Sequence, residues 1–128
     1  MNRILVIDDD TFICNILEKL LSDDGFKVDT AFSAASADKN LKKTKYDLII
    51  CDFRLPDSDG IKMLEKIKSH DPDISVIIIT AYADVRIAVK LMKLGASDYV
   101  TKPLQQDELL EIVNKTISRK KTDKRETF

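Results

Sequence analysis

Short runs of consecutive apolar residues alternate along this chain with segments in which apolar residues recur every three or four positions. The continuous runs are Ile4–Ile7, Leu48–Cys51 and Val76–Ile79, and the last is β-branched throughout. Such runs are typical of strands that are buried on both faces of a parallel sheet. The alternating stretch Val28–Phe32 and the weaker Ser97–Thr101 complete five predicted strands.

A helix is predicted after each strand. Residues 33–41 form a thin helical pattern, and Gly25 and Gly95 are stop signals after two of the other helices. Alternating strands and helices with right-handed crossovers predict a three-layer α/β domain. The four clear apolar stripes are Phe12, Ile13, Ile16, Leu17, Leu20 and Leu21; Ile61, Met63, Leu64 and Ile67; Val85, Ala88, Val89, Leu91, Met92 and Leu94; and Leu109, Leu110, Ile112, Val113 and Ile117.

Composition narrows the class of protein. The 128 residues leave room for one domain, and 21 basic against 22 acidic residues create no global attraction to nucleic acid or membrane. The apolar runs are far too short for a membrane span. Cys14 and Cys51 show no metal-binding spacing, so we expect free core thiols in a cytoplasmic protein. We assign residues 1–120 to the domain and residues 121–128 to a basic tail or the start of an interdomain linker.

Polar side chains stand where four of the predicted strands end. Asp8–Asp10 follow the first strand, Asp52 the third, Thr80 the fourth and Lys102 the fifth. In open parallel sheets, ligand sites lie outside the carboxyl ends of the strands. We therefore expect carboxylates, a hydroxyl and an ammonium group to meet at one edge.

This set of groups suits phosphoryl transfer to an aspartate. Bunched carboxylates resist ionisation unless a cation compensates them, and oxygen ligands favour Mg²⁺. An ammonium and a hydroxyl supply donors for an anion, and a free carboxylate is a nucleophile. Asp10 is most simply the N-cap of the first helix, but three consecutive acidic residues are more than capping requires.

The order of these motifs resembles a known family. D-D follows the first strand, D-x-x-x-P-x-x-D-G begins at Asp52, T-A follows the fourth strand and K-P the fifth. This order is similar to that of the receiver domain of two-component response regulators, over about residues 2–120. The segment TAYADVRIAVKLMKLGASDYVTKPL also resembles receivers of the NtrC type, which precede AAA+ and DNA-binding domains.

The resemblance implies a flavodoxin-like (βα)5 fold with a parallel five-stranded sheet in the order 2-1-3-4-5. It implies that Asp52 accepts a phosphoryl group from a phosphohistidine on a sensor histidine kinase. Asp8, Asp9 and Asp52, with the backbone carbonyl of Arg54, would hold Mg²⁺, for which Mn²⁺ could substitute. The domain would be a signalling phosphoacceptor that assists its own phosphotransfer and dephosphorylation, rather than an enzyme.

The same resemblance implies a switch. Thr80 and Lys102 would bind the phosphoryl oxygens, Tyr99 would turn inward when Thr80 moves, and the bond before Pro103 would be cis. The face formed by the fourth helix, fifth strand and fifth helix (residues 84–117) would then control an output domain, with transcription as the regulated process, or form a homodimer. The domain itself is not expected to contact nucleic acid.

Two large residues stand beside the expected site. Arg54 lies two positions after Asp52, and Tyr82 lies two positions after Thr80. Both side chains are long enough to restrict in-line attack by water. The hypothesis is a long-lived phosphorylated state.

Other protein classes fit less well. A Mg²⁺-dependent phosphatase of the haloacid-dehalogenase type usually carries a second acid two residues after its aspartate, where this chain has Arg54. The only glycines are Gly25, Gly60 and Gly95, so there is no phosphate-binding glycine loop. A DNA-binding domain is disfavoured by the balanced charge.

Overall fold

A computed structural model describes residues 2–126 of the chain, and the side chains as far as residue 120. Five parallel strands form one sheet: β1 (Arg3–Ile7), β2 (Lys27–Ala31), β3 (Leu48–Asp52), β4 (Ser75–Thr80) and β5 (Asp98–Thr101). Their order in the sheet is β2-β1-β3-β4-β5, which confirms the predicted topology.

Helices cover both faces of the sheet, because successive side chains of each buried strand point to opposite faces. The helices are α1 (Thr11–Asp23), α2 (Ala34–Lys43), α3 (Gly60–His70), α4 (Val85–Lys93) and α5 (Gln106–Glu126). Ile4 and Val6 of β1 pack with α1 and α5, whereas Leu5 and Ile7 pack with α2, α3 and α4. The three predicted layers are therefore present.

Helix ends follow the local sequence. The side chain of Asp10 accepts hydrogen bonds from the backbone amides of Phe12 and Ile13, so its prediction as the N-cap of α1 is confirmed. Gly25 and Gly95 follow α1 and α4 with φ angles of 94° and 103°. Glycine adopts this left-handed conformation without the cost that a Cβ atom would add.

The segment after β3 and the first turn of α1 differ from the predicted pattern. A short antiparallel hairpin, Arg54–Leu55 with Ser58–Asp59, follows β3 and has no signature in the hydrophobic pattern. The apolar spacing groups Phe12 with the core-facing residues of α1, but Phe12 is 70% exposed, since it lies in the first turn of that helix.

Helix α4 presents apolar residues to solvent. Its apolar stripe is wider than the surface that the sheet covers, and of its residues only Leu91 is fully buried. Val85 is 79% exposed, and Val89 and Met92 are each about half exposed. Hydrophobic spacing alone predicts that most of this stripe belongs to the core, and the exposure of these residues shows that this prediction is wrong.

The backbone of α5 continues without interruption to Glu126. Residues 127–128, and the side chains of residues 121–126, lie outside what the structure describes, so the proposed division at residue 120 stays a prediction. Across the described part of the chain, every helix is too short or too polar to span a lipid bilayer.

Candidate functional site

Two buried carboxylates lie side by side at the carboxyl edge of the sheet. Ile7 of β1 pairs with Cys51 of β3, so Asp8 and Asp52, which follow them, emerge next to each other. Lys102, which follows β5, reaches both carboxylates. Its Nζ atom lies 3.2 Å from Asp8 Oδ2 and 3.4 Å from Asp52 Oδ2. The predicted convergence of these strand ends is therefore present.

Burial and charge set the protonation of this cluster. Burial, followed by repulsion from Asp8, raises the pKa of Asp52 to about 6, although Lys102 opposes the shift. Burial acts to lower the pKa of Lys102, but the Asp8 and Asp52 carboxylates more than compensate and raise it above its ordinary value. Lys102 is therefore a cation at neutral pH, and Asp52 is mostly ionised.

Asp9 completes a group of three carboxylates. One oxygen from each of Asp8, Asp9 and Asp52 lies within 4.8 Å of the other two. Asp9 is exposed whereas Asp8 is fully buried, so the group opens to solvent on one side only. An all-oxygen set with an open side fits Mg²⁺, which keeps several of its waters. The residues present therefore suit that ion.

Thr80 is the last residue of β4, at the same edge of the sheet as the carboxylates. Its side chain is buried, and its Oγ1 atom accepts a hydrogen bond from the backbone amide of Tyr82 at 3.2 Å. Its carbonyl oxygen accepts from the amide of Lys102, which ties the ends of β4 and β5 together. The Lys102–Pro103 peptide bond is cis, the geometry that the family resemblance implies.

Tyr99 holds the loop between β4 and α4. Its hydroxyl donates to the carbonyl oxygen of Tyr82 at 2.7 Å and accepts from the amide of Asp84 at 3.4 Å. Asp84 is in turn the N-cap of α4. Thr80 and Tyr99, the two residues of the predicted switch, are thus joined through the backbone of Tyr82.

Arg54 and Tyr82 meet above this edge. The guanidinium carbon of Arg54 lies 4.6 Å from the centre of the Tyr82 ring, within the range of a cation–π contact. Sequence placed both residues near the site but did not predict that they touch. The hairpin that begins at Arg54 is the feature that the sequence pattern lacked.

Comparisons with known proteins agree with this geometry. The family model of the response regulator receiver domain matches residues 4–114. The chain belongs to this family. The predicted receiver family and flavodoxin-like fold are thereby confirmed.

Relatives and solved structures refine the assignment. The receiver is 41% identical over 115 residues to the transcriptional regulatory protein ZraR of Salmonella typhimurium, covering 90% of this chain and 26% of the relative. A CheY-like receiver domain from Methanospirillum hungatei superposes with a TM-score of 0.92 at 29% identity, covering 96% of this chain and 98% of the other. NtrX from Brucella abortus superposes with a TM-score of 0.92 at 30% identity, covering 99% of this chain and 29% of the other.

These similarities place the receiver among those of NtrC-type response regulators, as the segment from Thr80 to Leu104 indicated. The chain spans about a quarter of the length of the curated relatives it matches. The receiver domain is a signalling module.

The turn after Asp52 is anchored to a neighbouring helix. Both carboxylate oxygens of Asp57 accept hydrogen bonds from the first amides of α2, those of Ala34 and Ala35. Gly60 lies so close to Phe53 that a Cβ atom would come within 2.6 Å of its ring. Proline and the Asp59–Gly60 pair are typical of a turn, but the anchoring role of Asp57 depends on the position of α2.

An apolar groove of about 370 Å³ adjoins the site between α1 and the segment that follows β5. Ile13, Ile16 and Leu104 line it, Lys102 stands at one end, and the exposed Phe12 flanks it. Phe12 and Leu104 lie about 90 residues apart, and sequence reasoning missed the groove because such a separation carries no local signal.

Both cysteines of the receiver are buried and free, as predicted. Cys14 donates from Sγ to the carbonyl oxygen of Asp8, and burial raises the pKa of its thiol to about 11. Burial likewise raises the pKa of the Cys51 thiol. Both are therefore protonated core residues and poor nucleophiles.

Proposed function

We propose that this receiver accepts a phosphoryl group on Asp52 from a phosphohistidine of a sensor histidine kinase. The observation that carries the proposal is the pair of contacts from Lys102 to Asp8 and Asp52 at the end of the sheet. An ammonium group so placed is ready to pair with the oxygens of an incoming phosphoryl group.

The chemistry follows from the residues present. A carboxylate oxygen of Asp52 attacks the phosphorus atom, and the bond from phosphorus to the donor imidazole nitrogen breaks, with the electron pair leaving on that nitrogen. Lys102 moves from carboxylate to phosphoryl oxygen, and the buried Thr80 hydroxyl donates to another oxygen. Beyond the attack by Asp52, the protein accelerates the transfer by positioning the reacting groups and by stabilising the charge on the phosphoryl oxygens.

The proposed metal ligands are Asp8, Asp9, Asp52 and the backbone carbonyl of Arg54. Their support is the close approach of the three carboxylates. Bound Mg²⁺, or Mn²⁺ in its place, would neutralise charge on the phosphoryl oxygens. Asp9 is the exposed member and would be a direct ligand, whereas the buried Asp8 would act largely through water.

The proposed switch runs from Thr80 to the α4–β5–α5 face. When Thr80 turns toward the phosphoryl group, its bond to the Tyr82 amide changes, and with it the loop that Tyr99 holds. That loop leads into α4, whose Val85, Val89 and Met92 are exposed. We propose that this face forms a homodimer or contacts an output domain that controls transcription.

The proposed docking site for the kinase is the apolar groove beside α1. It is adjacent to Lys102, so a helix seated there brings a phosphohistidine to the same edge as Asp52. The exposed Phe12 gains buried area when a partner covers it. We place the receiver in the cytoplasm, where its two free thiols stay reduced.

A phosphatase with its own substrate fits this geometry less well. Phosphatases of the haloacid-dehalogenase type usually carry an acid two residues after the nucleophilic aspartate, as general acid and base. Arg54 stands there and stacks on Tyr82. We therefore propose that the receiver catalyses only its own phosphorylation and dephosphorylation.

Incubation with Mg²⁺ and acetyl phosphate, followed by intact-mass measurement, tests the proposal. We expect one phosphoryl adduct on the wild-type chain, none on Asp52→Asn, and an adduct on Asp59→Asn as the matched control. The Asp59 side chain caps α3, a role that asparagine keeps. The proposal would be overturned if the wild-type chain gained no phosphoryl adduct from acetyl phosphate or from any phosphorylated histidine kinase.

A further inference from the structure

A second cleft, of about 470 Å³, opens at the edge of the sheet opposite Asp52. It lies between the last turns of α2 and α3, and segments 44–46 and 71–74, which lead into β3 and β4, line its sides. A strand of five residues separates this edge from the acceptor site, a distance of roughly 15 Å. The cleft is therefore distinct from the phosphoryl site.

The floor of this cleft is apolar. Tyr46, Ile67 and Ile74 line it, and each is at most 2% exposed, while Leu41 contributes a partly buried wall. The Tyr46 hydroxyl is already bonded to Asp29 at 2.7 Å. Water over such a floor finds few partners, so an apolar group of a ligand displaces it favourably.

The rim of the cleft is cationic. The residues that line the cleft include one acid, Asp71, and four basic residues: Lys42, Lys43, Lys45 and His70. The Asp71 carboxylate already accepts a hydrogen bond from the amide of Asp73. The chain as a whole has a net charge of −1, so the excess of basic over acidic groups at this rim is a local feature.

Two of the four basic groups have a partner. Asp38 of α2 lies 3.0 Å from Lys42 Nζ and 3.4 Å from His70 Nε2. Among the side chains that the structure describes, neither the Lys43 nor the Lys45 ammonium has a hydrogen-bond or ion-pair partner. Lys43 is in the last turn of α2, where the helix dipole favours a cation. Lys45 lies beyond the helix, so that dipole does not account for it.

We propose that this cleft binds an organic anion, with its carboxylate or phosphate-type group on Lys43 and Lys45 and an apolar body on the floor. The cleft volume falls within the range of roughly 300–1,000 Å³ that small-molecule sites occupy. A purely ionic ligand would leave the apolar floor in contact with water. A purely apolar ligand would leave the ammonium groups of Lys43 and Lys45 without a partner. Recognition therefore requires both parts in one molecule.

A titration of the ¹⁵N-labelled chain with phenylphosphonate tests this site. The probe carries a phosphorus–carbon bond and cannot donate a phosphoryl group, and Mg²⁺ is left out, so acceptor chemistry plays no part. We expect saturable shifts of the amides in 44–46 and 71–74. Methylphosphonate, which lacks the ring, and benzyl alcohol, which lacks the charge, should each bind much more weakly.

Matched variants decide the outcome. Lys43→Gln/Lys45→Gln should weaken phenylphosphonate binding about tenfold, equivalent to about 1.4 kcal/mol. Lys39→Gln/Lys62→Gln removes the same charge from exposed positions outside the cleft and should leave affinity unchanged. Shifts that do not saturate, or equal weakening in both double variants, would overturn the proposal. Either result leaves the proposed role of Asp52 untouched.

Discussion

The guanidinium group of Arg54 stacks on the ring of Tyr82, with 4.6 Å between the guanidinium carbon and the ring centre. Arg54 lies two positions after the proposed acceptor Asp52, and Tyr82 lies two positions after Thr80. The contact therefore joins the hairpin that follows the proposed acceptor to the loop that leads into α4.

The first prediction concerns the lifetime of phosphorylated Asp52. If the stacked pair restricts the approach of water to the phosphoryl group, Arg54→Ala/Tyr82→Ala should lose that group several-fold faster than wild type. An exposed cation–π contact is worth about 0.5–1 kcal/mol, so the two single variants should be non-additive by a factor of about 2–5. Loss of the adduct is followed by intact mass. Arg86→Ala is the control, and unchanged rates in the double variant would contradict the hypothesis.

A second prediction concerns the cost of an ionised Asp52. The pKa of this carboxyl in the folded chain, about 6, lies above its ordinary value of 3.8. Stability is therefore lost as the pH rises from 3.8 through 6, and the full cost is present at pH 7. Asp52→Asn should raise the free energy of unfolding by roughly 1–3 kcal/mol at pH 7 and by less at pH 5.

Urea unfolding in the presence of EDTA measures this gain, because added metal would offset the same repulsion. Asp73→Asn, at an exposed position away from the site, serves as the control and should change little. An Asp52→Asn variant that is no more stable than wild type at pH 7 would show that Lys102 already compensates both carboxylates.

A third prediction separates two adjacent acids. Asp9 lies in the carboxylate group, whereas Asp10 caps α1. Asparagine caps nearly as well as aspartate, so Asp10→Asn is a matched control that removes the same charge. We expect MgCl₂ to stabilise wild type and Asp10→Asn, by about 1.4 kcal/mol at ten times Kd. Asp9→Asn should respond much less in the same thermal scans, and an equal response would exclude Asp9 as a ligand.

A fourth prediction tests the groove beside α1. Phe12→Ala should slow transfer from the autophosphorylated kinase that reacts fastest with the wild-type receiver, since docking loses a large apolar contact. Phosphorylation by acetyl phosphate should be unchanged, because that small donor needs no docking surface. Phe32→Ala, also an exposed aromatic, is the control. Parallel loss with both donors would instead indicate a damaged fold.

A fifth prediction concerns the exposed face of α4. If phosphorylation drives dimerisation through this face, Val85→Glu/Val89→Glu should stay monomeric after treatment with acetyl phosphate, because buried unpaired carboxylates oppose association. Sedimentation velocity measures the assembly state. Phe32→Glu adds a charge elsewhere on the surface and should dimerise as wild type does. A dimer of the double variant would place the interface on another face.

Much of the fold was predictable because the information is local. Continuous apolar runs such as Val76–Ile79 mark strands that are buried on both faces, and Gly25 and Gly95 mark helix ends. The apolar stripe of α4 led to a wrong prediction of burial, and the reason is physical. Hydrophobic spacing shows which residues share a helix face, but it does not show how much of that face the sheet covers.

The sequence by itself determined the five strands, the polar residues that end them, and thus the meeting of Asp8, Asp52 and Lys102, because parallel strands place their carboxyl ends at one edge. Only the tertiary structure decided which side chains then touch: Arg54 with Tyr82, Asp57 with the start of α2, and Tyr99 with the loop before α4. These contacts join residues distant in sequence, and their geometry depends on how helices and loops pack, which no local pattern encodes.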